Sequence, residues 1–259
     1  MLRSISGIGP ETRRERHDMS KRMVLVAASV LAALAFAALP AAASAAPSVD
    51  FSVENPTFSG TFGEATLTAV GQEEIVCTSE NHVNGSWETT NKVGTTGHIS
   101  LTFTHCHPKE TPGIACTTSG QASGVITTGS SLFHLVYITS DINTPSTMLT
   151  KVPGLLVTPP SGGTFAEFNC SFLVHLKIAG TGIIGKVTAP TCGSAASGSS
   201  TVQFTSASTG KQTYQLAEGN ATTYHLTSSL NSGSAVEASE DVESTTTLAG
   251  GATGQLTCN

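Results

Sequence analysis

The sharpest chemical signal in the sequence is His105-Cys106-His107. On an extended strand, residues two apart share a face, so the two imidazoles would project together and could present nitrogens to Zn²⁺ or Cu²⁺. His98 or Glu110 would have to complete such a set. No third ligand stands at a diagnostic spacing, and Cys106 reads as a disulfide partner. The simpler reading is therefore two histidines flanking a disulfide at a strand end, and no metal is expected. Acid chemistry is the second possibility. Glu73, Glu74, Asp141 and Glu167 could furnish the two carboxyls that glycoside hydrolysis needs, about 5–9 Å apart. Glu167 stands out because Phe165, Ala166 and Phe168 surround it, and partial burial would raise its pKa. The competing reading is an outward residue of an alternating strand. No serine nucleophile elbow occurs, nor a phosphate loop, dinucleotide fingerprint or zinc-finger spacing. No catalytic residue and no cofactor are assigned on this basis.

The six cysteines, Cys77, Cys106, Cys116, Cys170, Cys192 and Cys258, read as three disulfides in an exported chain. Spacing leaves every pairing open. The expected set is Cys106–Cys116, closing a short loop worth about 2–3 kcal/mol on the chain-entropy view, then Cys192–Cys258, tying down the glycine-rich C-terminal segment, with Cys77–Cys170 by elimination.

The address is written at the N-terminus. Lys21-Arg22 precede an alanine-dominated apolar run, Met23 to Leu39, and Ala43-Ser44-Ala45 follows as a small-x-small cleavage site. This is the pattern of a secretory signal peptide cut after Ala45; the run falls short of the ~20 residues of a spanning helix. The expected division is an N-terminal extension and signal peptide over residues 1–45 and a single all-β domain over residues 46–259. The polar stretch ahead of Met19 suggests a true start at Met19 or Met23. After the cut, six lysines and no arginine face fifteen carboxylates, a net charge of −9 with histidine neutral. Such a surface cannot displace the counterions of nucleic acid, and it disfavours anionic membranes as well.

The elements that must position these residues are strands. Ile99, Leu101 and Phe103 alternate with Ser100, Thr102 and Thr104, the period of a half-buried strand. Leu132–Thr139 is apolar on both faces and reads as central. Further strands are expected over 65–70, 74–78, 86–89, 125–128, 154–158, 164–170, 172–179, 201–205, 212–216 and 224–230. Asn81–Gly85 reads as a turn, and Gly180, Gly182 and Gly185 as a bend or bulge around Ile183-Ile184. Ala235–Glu243 is the one candidate for a helical turn, but its valines share no helical face, so it is read as strand or loop. With strands at 8–12-residue intervals the fold class is all-β: a single antiparallel β-sandwich or closed β-barrel of about ten strands, preceded by the signal-peptide helix. Trp87, the single tryptophan, reads as a core residue ahead of an exposed platform.

The run Cys77-Thr-Ser…Gly85, Cys106, Cys116-Thr…Ser-Gly120, Gly162-Gly163-Thr-Phe-Ala-Glu-Phe-Asn-Cys170 and Gly182-Ile-Ile-Gly185 resembles a group of secreted β-rich proteins common in actinobacteria, to which no activity is attached. The resemblance covers roughly residues 60–190. It implies export and a β fold and carries no catalytic residue. Members of that group usually stop at four cysteines, which supports Cys192 and Cys258 as a separate pair. The expectation is a secreted, disulfide-stabilised, non-enzymatic protein with a structural or ligand-binding role in the extracellular space or cell envelope, its partner an unknown ligand or envelope component. The alternatives are a secreted hydrolase working near Glu167 and a metal-binding protein using His105 and His107.

Overall fold

Alternation of apolar and hydroxyl side chains recurs in most segments of the chain, and it produces strands almost throughout. The computed structural model describes residues 45–143, 149–161 and 163–259. The signal-peptide expectation therefore lies, but for Ala45, outside the described residues. Along the chain run β1 (Ser48–Phe51), β2 (Thr57–Phe62), β3 (Ala65–Ala69), β4 (Ile75–Cys77), β5 (Asn81–Thr90), β6 (Val93–Phe103) and β7 (Cys106–Pro108). Next come β8 (Cys116–Thr117), β9 (Ile126–Thr127), β10 (Ser131–Asp141), β11 (Val152–Thr158), β12 (Thr164–Cys170) and β13 (Val174–Gly180). The chain finishes with β14 (Ile183–Ala189), β15 (Ser199–Phe204), β16 (Tyr214–Ala217), β17 (Leu226–Leu230), β18 (Val236–Leu248) and β19 (Gly254–Thr257). One 3₁₀ turn, Ala249–Gly251, is the only helical element among the described residues.

Eight strands close into an antiparallel barrel in the order β6, β10, β11, β14, β15, β18, β2, β5 and back to β6. The fold is all-β, and of the two architectures expected the barrel is the one formed. A second antiparallel sheet, in the order β8, β12, β13, β17, β18, β3, β4, β7, grows from it. The two share β18, whose residues up to Asp241 pair in the second sheet and whose residues from Val242 pair in the barrel. One hydrophobic core runs through both, from Phe58, Phe133 and Val157 in the barrel to Phe168, Ile178 and Leu226 in the second sheet. A smaller core, Ile138, Leu156, Ile184, Ala217 and Tyr224, lies outside the barrel wall, where β16 pairs with β10 and β14. Burial on both sides explains the apolar run of β10.

Glycines let aromatic rings lie flat against the barrel wall. Phe58 stands opposite Gly85, Phe133 opposite Gly97 and Phe51 opposite Gly254. A Cβ on Gly97 would sit 2.5 Å from the Phe133 ring. Trp87 joins this cluster on the inside of the barrel, 4.7 Å from Phe133 and 5.1 Å from Phe51 between ring centroids, as a core residue should. Gly180 marks the crossing from the second sheet to the barrel, with φ +145 and no room for a Cβ, which would meet the His225 carbonyl oxygen at 2.1 Å.

Three expectations need correction. Asn81–Gly85 is not a turn but the start of β5; the buried Asn81 side chain donates to the carbonyls of Gly63 and Cys77 and accepts from the Thr104 N–H, so a polar residue that suggested a turn instead fastens a strand. The segment after Gly182 is not a bend around two isoleucines but a full barrel strand, because Ile183, Gly185 and Val187 line the interior. The disulfides are Cys77–Cys106, Cys116–Cys170 and Cys192–Cys258. The third matches expectation; the first two do not. Cys77 and Cys106 face each other directly in the β4–β7 register, and Cys116 and Cys170 in that of β8–β12. The physical reason is the brevity of β4, β7 and β8, three, three and two residues long. Ladders that short cannot hold an edge alone, so the bonds staple strand to strand rather than closing the loop between Cys106 and Cys116.

Candidate functional site

The residues nominated for metal chemistry do not come together. His105 lies ahead of β7 in the left-handed region, φ 53, so strand alternation does not place it beside His107. Its Nδ1 lies 3.2 Å from the Ser79 hydroxyl, while His107 turns its Nδ1 to the Pro108 carbonyl at 2.9 Å. His98 is engaged by Glu88 at 3.1 Å, and the Glu110 N–H donates to Glu73. Among the described residues no three histidine, cysteine or acidic groups converge.

The acid pair near Glu167 is not formed either. Glu167 points outward from β12 and pairs with Lys177, opposite it in the β12–β13 register, at 3.3 Å. Glu74 is held by Lys109 at 2.6 Å, and Asp141 accepts from the Asn143 N–H. Each nominated carboxylate is a surface group with a local partner.

The feature that does stand out is inside the barrel. An eight-stranded barrel is at the size where side chains either fill the interior or leave room for one small ligand. Here the inward phase leaves an apolar cavity of about 160 Å³. Its wall comes from Phe58, Val83, Phe133, Leu155, Val157 and Val202 in the barrel and Leu67, Phe165 and Phe168 from the second sheet. A cavity of about 150 Å³ lined by aliphatic and aromatic groups holds a benzene ring.

One ionisable side chain lines this cavity: Glu240. It sits where β18 passes from the second sheet into the barrel, opposite Leu67 of β3. On its other flank no strand continues the ladder. The buried Gln212 fills the gap, accepting from the Glu240 N–H and donating to the Glu240 and Thr205 carbonyls. The backbone at the junction is thus satisfied by a side-chain amide, as buried backbone groups must be. The Glu240 carboxyl has no hydrogen bond and no ion pair among the described residues. It is surrounded by protein atoms on the cavity wall yet remains half-buried, with part of the side chain still accessible. Burial, helped by the negative charge of Asp241, raises its pKa from 4.5 to about 7. The Ser131 and Ser244 hydroxyls, also on the cavity wall, are buried without partners.

Sequence reasoning misses Glu240. The signal is present: Ala238, Glu240, Val242, Ser244, Thr246 and Leu248 are alternate residues of β18 and form its inward phase. Weighed as a helical turn, the segment shows no face; weighed at period two it shows a carboxylate among inward positions. Comparison with family models, curated proteins and solved structures finds no match.

Proposed function

We propose that this chain is a secreted, disulfide-stabilised, non-enzymatic binding protein that holds a small apolar molecule inside its barrel, in the extracellular space or cell envelope. The observation that carries the reading is the apolar cavity enclosed by the closed ladder. Three disulfides suit an oxidising compartment, and the cleavage pattern ending at Ala45 supports export. Resemblance to secreted actinobacterial β-rich proteins points the same way. A body of one ring or a short alkyl chain fits the volume, and each methylene transferred from water favours binding by about 0.8 kcal/mol.

The test is thermal unfolding of the oxidised protein with and without toluene. Binding to the folded form alone raises the melting temperature by mass action. Ser244→Leu, which fills part of the cavity and removes an unpartnered hydroxyl, should abolish the rise while keeping the fold. A melting temperature indifferent to toluene in the wild type would refute the reading. Export is checked separately by N-terminal sequencing of protein recovered from the medium, expected to begin at Ala46.

A further inference from the structure

We propose that the cavity takes a compact hydrophobic amine, its ring or short alkyl body against the apolar wall and its ammonium against the Glu240 carboxylate. The inference rests on the reading of the barrel as a binding protein and adds the chemical class of the ligand. It follows from three observations. The wall is apolar over nearly all its extent, so the body of the ligand must be hydrocarbon. The one ionisable group on that wall is a carboxyl with no protein donor. No lysine, arginine or histidine lines the cavity, so an acidic ligand would find no counter-charge and would meet Glu240 as a like charge.

The groups around Glu240 sharpen the point. Leu67 and Thr66 of β3 lie opposite Glu240 and Asp241 in register. The Gln212 amide is consumed by backbone groups on both its oxygen and its nitrogen. Asp241, on the outward phase of the same strand, adds negative charge rather than neutralising it. Every neighbour therefore leaves the carboxylate needing a donor that the protein does not provide. A buried polar group without a partner is costly, and an ammonium meets the need with a charge-assisted hydrogen bond. The carboxylate is already withdrawn in part from water, so an ammonium beside it is attracted more strongly than at the open surface.

The experiment is calorimetric titration of the oxidised protein with benzylamine, toluene and benzoate, three bodies of one size differing in charge, at pH 6 and pH 8. Benzylamine stays protonated at both, whereas Glu240 ionises between them. The expected result is benzylamine binding more tightly than toluene at pH 8, and about ten-fold more weakly at pH 6 than at pH 8, following the ionised fraction of Glu240. Benzoate should bind least at pH 8. Glu240→Gln should weaken benzylamine at pH 8 by about ten-fold or more, the loss expected of a charge partner, with a circular dichroism spectrum like that of the wild type certifying the fold. Glu240→Asp should keep the preference for the amine. Toluene and benzylamine binding equally at pH 8, or benzylamine unaffected by Glu240→Gln, would overturn the assignment of the amine while leaving the binding reading standing. Failure of both toluene and benzylamine would overturn both.

Discussion

Two glutamates on long strands make opposite use of the same side chain. Glu167 lies on β12 among phenylalanines in the sequence, and Glu240 on β18 among alanine, serine and valine. The first points outward and pairs with Lys177. The second points into the barrel, with its pKa raised to about 7 by burial and by Asp241. Local composition would nominate Glu167 for chemistry; strand phase nominates Glu240. Environment is set by which face of the sheet is enclosed, and in a closed barrel one phase of every strand is enclosed regardless of its neighbours in sequence. The surroundings of the two also differ in how they are held. Glu167 belongs to a sheet whose short edge strands are stapled by disulfides, whereas the barrel below Glu240 closes on its own ladder.

That contrast can be broken most forcefully at the staples. Replacing Cys116 and Cys170 together by serine should destabilise the chain by about 4 kcal/mol, and replacing Cys77 and Cys106 by about 3.6 kcal/mol, from loops of 54 and 29 residues. Urea unfolding would register both, and toluene binding should survive in whatever fraction stays folded, because neither bond closes the barrel.

A smaller effect is expected at Glu240, and its sign is fixed by linkage. The folded chain holds the Glu240 proton up to about pH 7, the unfolded chain only to its ordinary value of 4.5. The folded state binds more protons across that window, so this group's contribution is fully present below pH 4.5 and is lost as the pH rises toward 7. The loss amounts to about 3 kcal/mol. Glu240→Gln should therefore match the wild type near pH 4.5 and exceed it by up to about 3 kcal/mol at pH 8, read from urea melts at both values. Equal stability of the two proteins at pH 8 would place the carboxyl in water.

The smallest effect is the control. Glu167→Gln should cost a few tenths of a kcal/mol at every pH between these limits, since an exposed ion pair contributes little. A cost rivalling that of a buried charge would put Glu167 back in contention for a functional role.

Much of the fold is legible in the sequence. Ile99, Leu101 and Phe103 announce β6 by alternation alone, and the doubly apolar Leu132–Thr139 announces a strand covered on both sides, which the small outer core around Ile138 accounts for. The cysteine pairing is not legible. It depends on which short strands become neighbours, a matter of long-range register that brings Cys77 to Cys106 and Cys116 to Cys170. The site is harder still. The histidine pair attracts notice because His105 and His107 look like consecutive same-face residues, until a left-handed residue at His105 breaks the alternation. Glu240 is hidden by its company, since a carboxylate in an Ala/Ser/Glu/Val stretch reads as a solvated edge. Its inward position depends on where β18 passes from the second sheet into the barrel, set by pairings with β3, β15 and β2 that lie far away along the chain.

The central claim is that the barrel holds a small apolar molecule. Crystals of the oxidised protein pressurised with xenon test it most directly, since xenon enters apolar cavities of this size. The account predicts xenon density inside the barrel, bounded by Phe133, Leu155, Val157 and Phe165. A barrel interior closed by side chains, with xenon confined to the outer surface, would contradict it.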